Sequence, residues 1–97
     1  MARLSDNNPI TANGDYKFDV RAPDWHRVVI GTESARTFGG GTVSVKQDGL
    51  AYTDLSAVTA QTMKAVFLGE GQGVISLTGA TTPSIGVKIE RIRRTPQ

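Results

Sequence analysis

The stretch FGGGTVSVKQDG, residues 38–49, decides the fold. It sets Phe38 and three consecutive glycines directly before an alternating Thr42-Val43-Ser44-Val45 run, and it closes on Asp48-Gly49. Alternation with a period of two marks a strand with one buried face, here Val43 and Val45, against Thr42, Ser44 and Lys46 on the other. Asp-Gly after such a run is a tight-turn signal, so the strand folds back as a hairpin into LAYTDL, residues 50–55. The glycines also raise the question of a phosphate-cradling loop. Such a loop needs a helix N-terminus behind it and a Gly-Lys-Ser or Gly-Lys-Thr ending, whereas a strand follows here. The glycines are therefore expected to serve backbone geometry: Phe38 seats in the core, and Gly39, Gly40 and Gly41 permit angles or close approaches that side chains block.

The same period recurs on both sides. In DYKFDV, residues 15–20, Tyr16, Phe18 and Val20 alternate with Asp15, Lys17 and Asp19. WHRVVIGT, residues 25–32, carries the β-branched run Val28-Val29-Ile30, suited to a central strand covered on both faces. Between residues 57 and 68, a helix-like spacing of Ala57, Ala60, Met63, Lys64 and Phe67 competes with a strand, and the threonines and valines favour a strand from about Thr62 to Leu68. GEGQG, residues 69–73, reads as a connection. VISLTG follows as a strand with Ile75 and Leu77 on one face, and IGVKIERI, residues 85–92, as a last strand burying Ile85, Val87 and Ile89. About seven strands at such intervals predict an all-β fold, a small antiparallel β-sandwich or jelly-roll-like barrel. Residues 1–14 are expected to be an extended, flexible N-terminal arm, residues 15–93 the β domain and residues 94–97 a tail.

Composition agrees with one domain. A chain of 97 residues hides roughly 60–65% of its unfolded surface, enough for one modest core. A hydrophobic fraction of 38% with eleven glycines favours short strands joined by turns over a helical bundle. The absence of cysteine excludes a disulfide framework and a thiolate metal site, so stability comes from packing or from partner subunits. The N-terminus lacks an apolar signal-length core and no stretch approaches the roughly 18 apolar residues of a membrane span, so a soluble protein that is not exported by that route, assembled inside a cell and without a membrane partner, is expected. The net charge of +2 gathers at the C-terminal end, in Lys88, Arg91, Arg93 and Arg94, while the rest of the chain is slightly acidic. With no aromatic platform beside it, this end is a solvated or interface segment rather than a nucleic-acid footprint, and no nucleic-acid partner is expected.

Catalytic and metal chemistry find few residues to work with. His26 is the one histidine, with no Gly-x-Ser-x-Gly elbow elsewhere, and it is expected to be a partly exposed residue at a strand start. No HxxxH, cysteine pair or Asp-x-Asp-x-Asp loop offers a metal site, and Asp15, Asp19, Asp48, Asp54 and Glu70 carry no spacing that singles out a catalytic pair. The expectation is a noncatalytic protein with no cofactor and no metal. Trp25 has two placements, a plug at the end of the sandwich or an anchor at an interface. Leu4 and Ile10, the arm's two sizeable apolar side chains, are expected with Arg3 to dock on an adjacent subunit or a shell. Trp25, Phe38, Gly40, Arg91, Arg93 and Arg94 are further candidate partner contacts.

Taken in order, Phe38 to Val43, Asp48-Gly49, Ser76 to Ala80 and Val87 to Ile92 resemble the small β-sandwich accessory proteins of tailed-phage virions. The resemblance covers about residues 26–93; Tyr52 stands where many relatives have another aromatic, and the N-terminal arm has no counterpart. It implies a structural role: a decoration or cement protein that binds the major capsid protein or another shell protein on the head surface, as a homo-oligomer, dimer or trimer. The other function considered is a carbohydrate- or receptor-binding β-sandwich module of a fibre or tail, with Trp25 and Tyr52 stacking on sugars.

Overall fold

The computed structural model describes residues 2–47, 50–51 (backbone only) and 55–92. The alternating run forms β5 (Thr42–Gln47), with Val43 and Val45 fully buried, and β5 pairs antiparallel with β6 (Leu50–Ala51), Gln47 opposite Leu50. The expected Asp48-Gly49 turn and Tyr52 lie outside the described residues. These two strands close one side of a five-stranded sheet, ordered β1 (Ala2–Arg3), β2 (Gly14–Val20), β8 (Gly71–Thr78), β5, β6. A three-stranded sheet runs β10 (Val87–Arg91), β3 (Asp24–Ile30), β7 (Thr62–Leu68), and β4 (Arg36–Thr37) pairs with β9 (Ser84–Ile85). All pairings are antiparallel except β1 with β2. Among the described residues there is no α-helix, and the sheets stay open, so the barrel alternative does not hold.

Short links carry the chain between the two larger sheets at Arg21-Ala22-Pro23 after β2 and at Gly69-Glu70 after β7. Tyr16 and Val20, Val28 and Ile30, Val66 and Leu68, Ile75 and Leu77, and Val87 thereby join one apolar cluster with Phe38, Leu55, Val58 and Ile85. Three boundaries differ from the sequence expectation. β8 begins at Gly71, inside the expected connection, because the Phe18 ring lies over Gly73 in the β2–β8 pair and fills the space a side chain there would need. IGVKIERI divides at Gly86 into β9 and β10, which belong to different sheets. β3 is a central strand, but it is covered on one face alone: His26, Val28 and Ile30 are buried while Trp25 and Arg27 are exposed.

The triple glycine is a turn. The Gly41 N–H donates to the Phe38 carbonyl at 2.9 Å, and φ is +60° at Gly39 and +78° at Gly40, the signs of a type I′ turn. Phe38 is buried in the core of its own chain, so it is not available as a partner contact; Gly40 is exposed.

The N-terminal segment is not a free arm. Arg3 and Ala2 pair with β2, Leu4–Asp6 form a 3-10 turn, and Ile10 bridges to Ile85 with backbone bonds of 2.8 and 3.0 Å. Leu4 and Ile10 are buried in the chain's own core, so they serve its fold, where the sequence led to the expectation of a free arm that docks on a neighbour. The fastening is done by amides that act as substitute backbone. Asn8 accepts from the Val87 N–H at 3.0 Å and donates to its carbonyl at 2.7 Å, and Asn13 does the same to Ala80, both at 2.9 Å. Each pairing satisfies a donor and an acceptor that would otherwise need a strand or water.

Candidate functional site

Alternation along β3 separates two surfaces that share the same short segment. On the outer face of the three-stranded sheet the register places Trp25 opposite Phe67, Arg27 between Glu90 and Ala65, and Val29 between Lys88 and Met63. Trp25 is 45% exposed, Phe67 49% and Met63 64%, the exposed large hydrophobic side chains among the described residues. The Trp25 and Phe67 rings meet edge to face, centroids 5.9 Å apart and planes at 79°, an arrangement aromatic pairs favour. Trp25 is therefore an outward-facing residue and not a plug of the sandwich end.

On the other side of β3 lies a groove of about 550 Å³. Its apolar floor comes from Leu4, Phe18, Val20, Ala22 and Ile89, and Arg3, Lys17, Arg21 and Arg91 surround it together with Asp19 and His26. The groove runs between β2 and β10, with the N-terminal segment crossing from one sheet to the other beside it. Arg91 is the one of these cations tied to an acid among the described residues: its Nε donates to Asp24 Oδ2 at 2.6 Å. That guanidinium, then the Trp25 N–H that donates to Asp24 Oδ1 at 2.7 Å, holds the Asp24 carboxyl below its ordinary range. His26 is buried, contrary to the partly exposed placement expected; its Nδ1 lies 2.9 Å from the Asp24 carbonyl, which can only accept, so Nδ1 carries a proton.

The free edge of β10 borders this groove, and its polarity can be worked out. The Gly31 N–H donates to the Gly86 carbonyl and the Ile92 N–H to the Trp25 carbonyl. In an antiparallel ladder bonded and unbonded pairs alternate, so Lys88 and Glu90 face β3 while Val87, Ile89 and Arg91 turn their N–H and C=O groups outward. At Val87 both groups are satisfied by Asn8; at Ile89 and Arg91 no partner occupies them among the described residues.

Of the residues singled out from sequence, Arg3 and Arg91 come together at the groove, Trp25 stands on the opposite face, and Arg93 and Arg94 lie outside the described residues. Phe67, Met63, Lys17 and Arg21 were missed. Among the described residues no group of three or more His, Asp or Glu side chains is placed to hold a metal ion. No family model matches the chain, and comparison with curated proteins and with solved structures found no match.

Proposed function

We propose that this chain is a noncatalytic docking domain: a capsid decoration or cement protein whose two larger sheets form a β-sandwich and which binds the head shell of a tailed phage as a dimer or trimer. The observation that carries it is the outer face of the three-stranded sheet, where Trp25, Phe67 and Met63 stand exposed across adjacent strands. Aromatic side chains in a flat, solvent-facing group are the residues that concentrate binding energy at protein interfaces, and a rim of Arg27, Lys88 and Glu90 supplies charge for register. The virion assignment rests on the ordered sequence elements from Phe38 to Ile92, and the host cytoplasm is where such a protein meets its shell.

The test is co-sedimentation of the purified protein with heads of the phage that encodes it. Wild-type protein is expected to pellet with heads. The Trp25→Ala, Phe67→Ala double variant is expected to lose about 2 kcal/mol or more of binding while remaining folded, with a melting temperature a few degrees lower because the half-exposed ring pair also contributes about 0.5–1.5 kcal/mol to the sheet. Heads that bind neither protein, or both equally, would refute the proposal. The exposed Trp25 also suits the glycan-binding alternative; retention on a glycan array, abolished by Trp25→Ala, together with no binding to heads, would select it.

A further inference from the structure

We infer that the groove between β2 and β10 is a second binding site, which takes an extended acidic-apolar peptide segment of another protein as an added strand on the β10 edge. Three independent features converge there. The Ile89 and Arg91 backbone groups point outward from β10 and are unoccupied among the described residues, so a strand laid alongside makes main-chain hydrogen bonds at both. Asn8 already shows the geometry: its side-chain amide takes the place of a strand partner at Val87, the outward position preceding Ile89. An incoming strand continues that row where Asn8 leaves off.

The side chains of such a strand alternate between the two faces of its sheet. One row enters the groove, where the apolar floor of Phe18, Val20 and Ile89 is flanked by Arg3, Lys17 and Arg21, none of which makes an ion pair among the described residues; the other continues the outer row of Lys88 and Glu90. Asp19 is the one acid in the lining, so an acidic segment is favoured over a basic one. Nucleic acid fits less well, because Phe18, the aromatic of the lining, is packed over Gly73 and presents no stacking platform. The inference does not need the virion assignment, and its main-chain hydrogen bonds form at the β10 edge, two strands away from Phe67 and not at the Trp25–Phe67 pair.

The probe is a synthetic peptide of about six residues alternating Val and Glu, roughly one strand in length, added at about 1 mM to the whole chain. Amide hydrogen exchange followed by NMR is expected to show Ile89 and Arg91 slowing when the peptide binds, while Lys88 and Glu90, already bonded to β3, change little. A backbone N-methylated peptide of the same sequence is expected to give no slowing, and Arg21→Glu to weaken binding roughly fivefold with the fold intact. Three results overturn the inference: no slowing at Ile89 and Arg91, equal binding of a Val-Lys peptide, or binding of a single-stranded oligonucleotide that the peptide does not displace. Protection of the two amides in the free chain that rises with protein concentration also overturns it, by showing that a second copy fills the edge. These outcomes are separate from co-sedimentation with heads, which reads the Trp25 face.

Discussion

At Gly39 the backbone leaves no room for a β-carbon: an added Cβ overlaps the carbonyl oxygen of Thr81, in a chain segment whose N–H in turn donates to the Gly39 carbonyl at 2.9 Å. At Gly40 an added Cβ meets nothing within 4 Å, although φ is +78°. The two glycines therefore differ in what they resist. Gly40→Ala meets only the left-handed backbone penalty, about 1 kcal/mol, whereas Gly39→Ala must also displace the Thr81 backbone and is expected to exceed about 2 kcal/mol. Urea denaturation of both variants checks this; equal losses would mean that the Thr81 contact relaxes freely. The sequence singled out these glycines as backbone geometry, but it gave no means of ranking them, since the colliding atom lies about forty residues along the chain in a separate loop. The clasps of Asn8 and Asn13 were illegible for the same reason. Asparagines near Pro9 and Gly14 look like turn residues, and their partners stand 79 and 67 positions away.

Elements with a clean period were readable, and those without one were not. β2 and β5 keep one apolar row, with Tyr16, Val20, Val43 and Val45 buried as the alternation names them and Phe18 half-buried; β8 buries Ile75 and Leu77 as expected but also Ser76 from the other row. β7 carries apolar side chains on both rows, Met63, Ala65 and Phe67 against Val66 and Leu68, so its pattern cannot tell which face meets the core; pairing with β3 decides it. The exposed aromatic pair was hidden by that ambiguity. The N-terminal segment failed differently: two isolated apolar residues in a polar stretch carry no periodicity, yet Leu4 and Ile10 cover the core where the two larger sheets leave it open. Leu4→Ala is accordingly expected to destabilise the fold by about 2–5 kcal/mol, as truncation of a buried leucine does. A thermal melt within error of wild type would return the segment to the role of a dispensable arm.

Over the whole molecule, the placement of charge distinguishes the two surfaces proposed to bind from the outer edge of β7. Among the described residues β7 pairs only with β3, so its far side is a free sheet edge seven residues long, without proline, in a segment that reads TMKAVFL. Such an edge is a template for unwanted strand addition. Lys64 lies on the core-facing row of β7 with Val66 and Leu68, opposite fully buried Val28, yet its own side chain is exposed. A strand added along this edge would trap the ammonium against apolar surface, a desolvation that no partner there offsets. The β10 edge has no such guard, since its outward positions carry Ile89 and an Arg91 already paired with Asp24. Lys64→Val keeps β propensity and removes the guard, so sedimentation velocity over a concentration series is expected to show species larger than those of wild type, while Lys64→Arg sediments as wild type does. If Lys64→Val sediments as wild type at every concentration, the edge is protected by its twist or its neighbours and the charge is incidental.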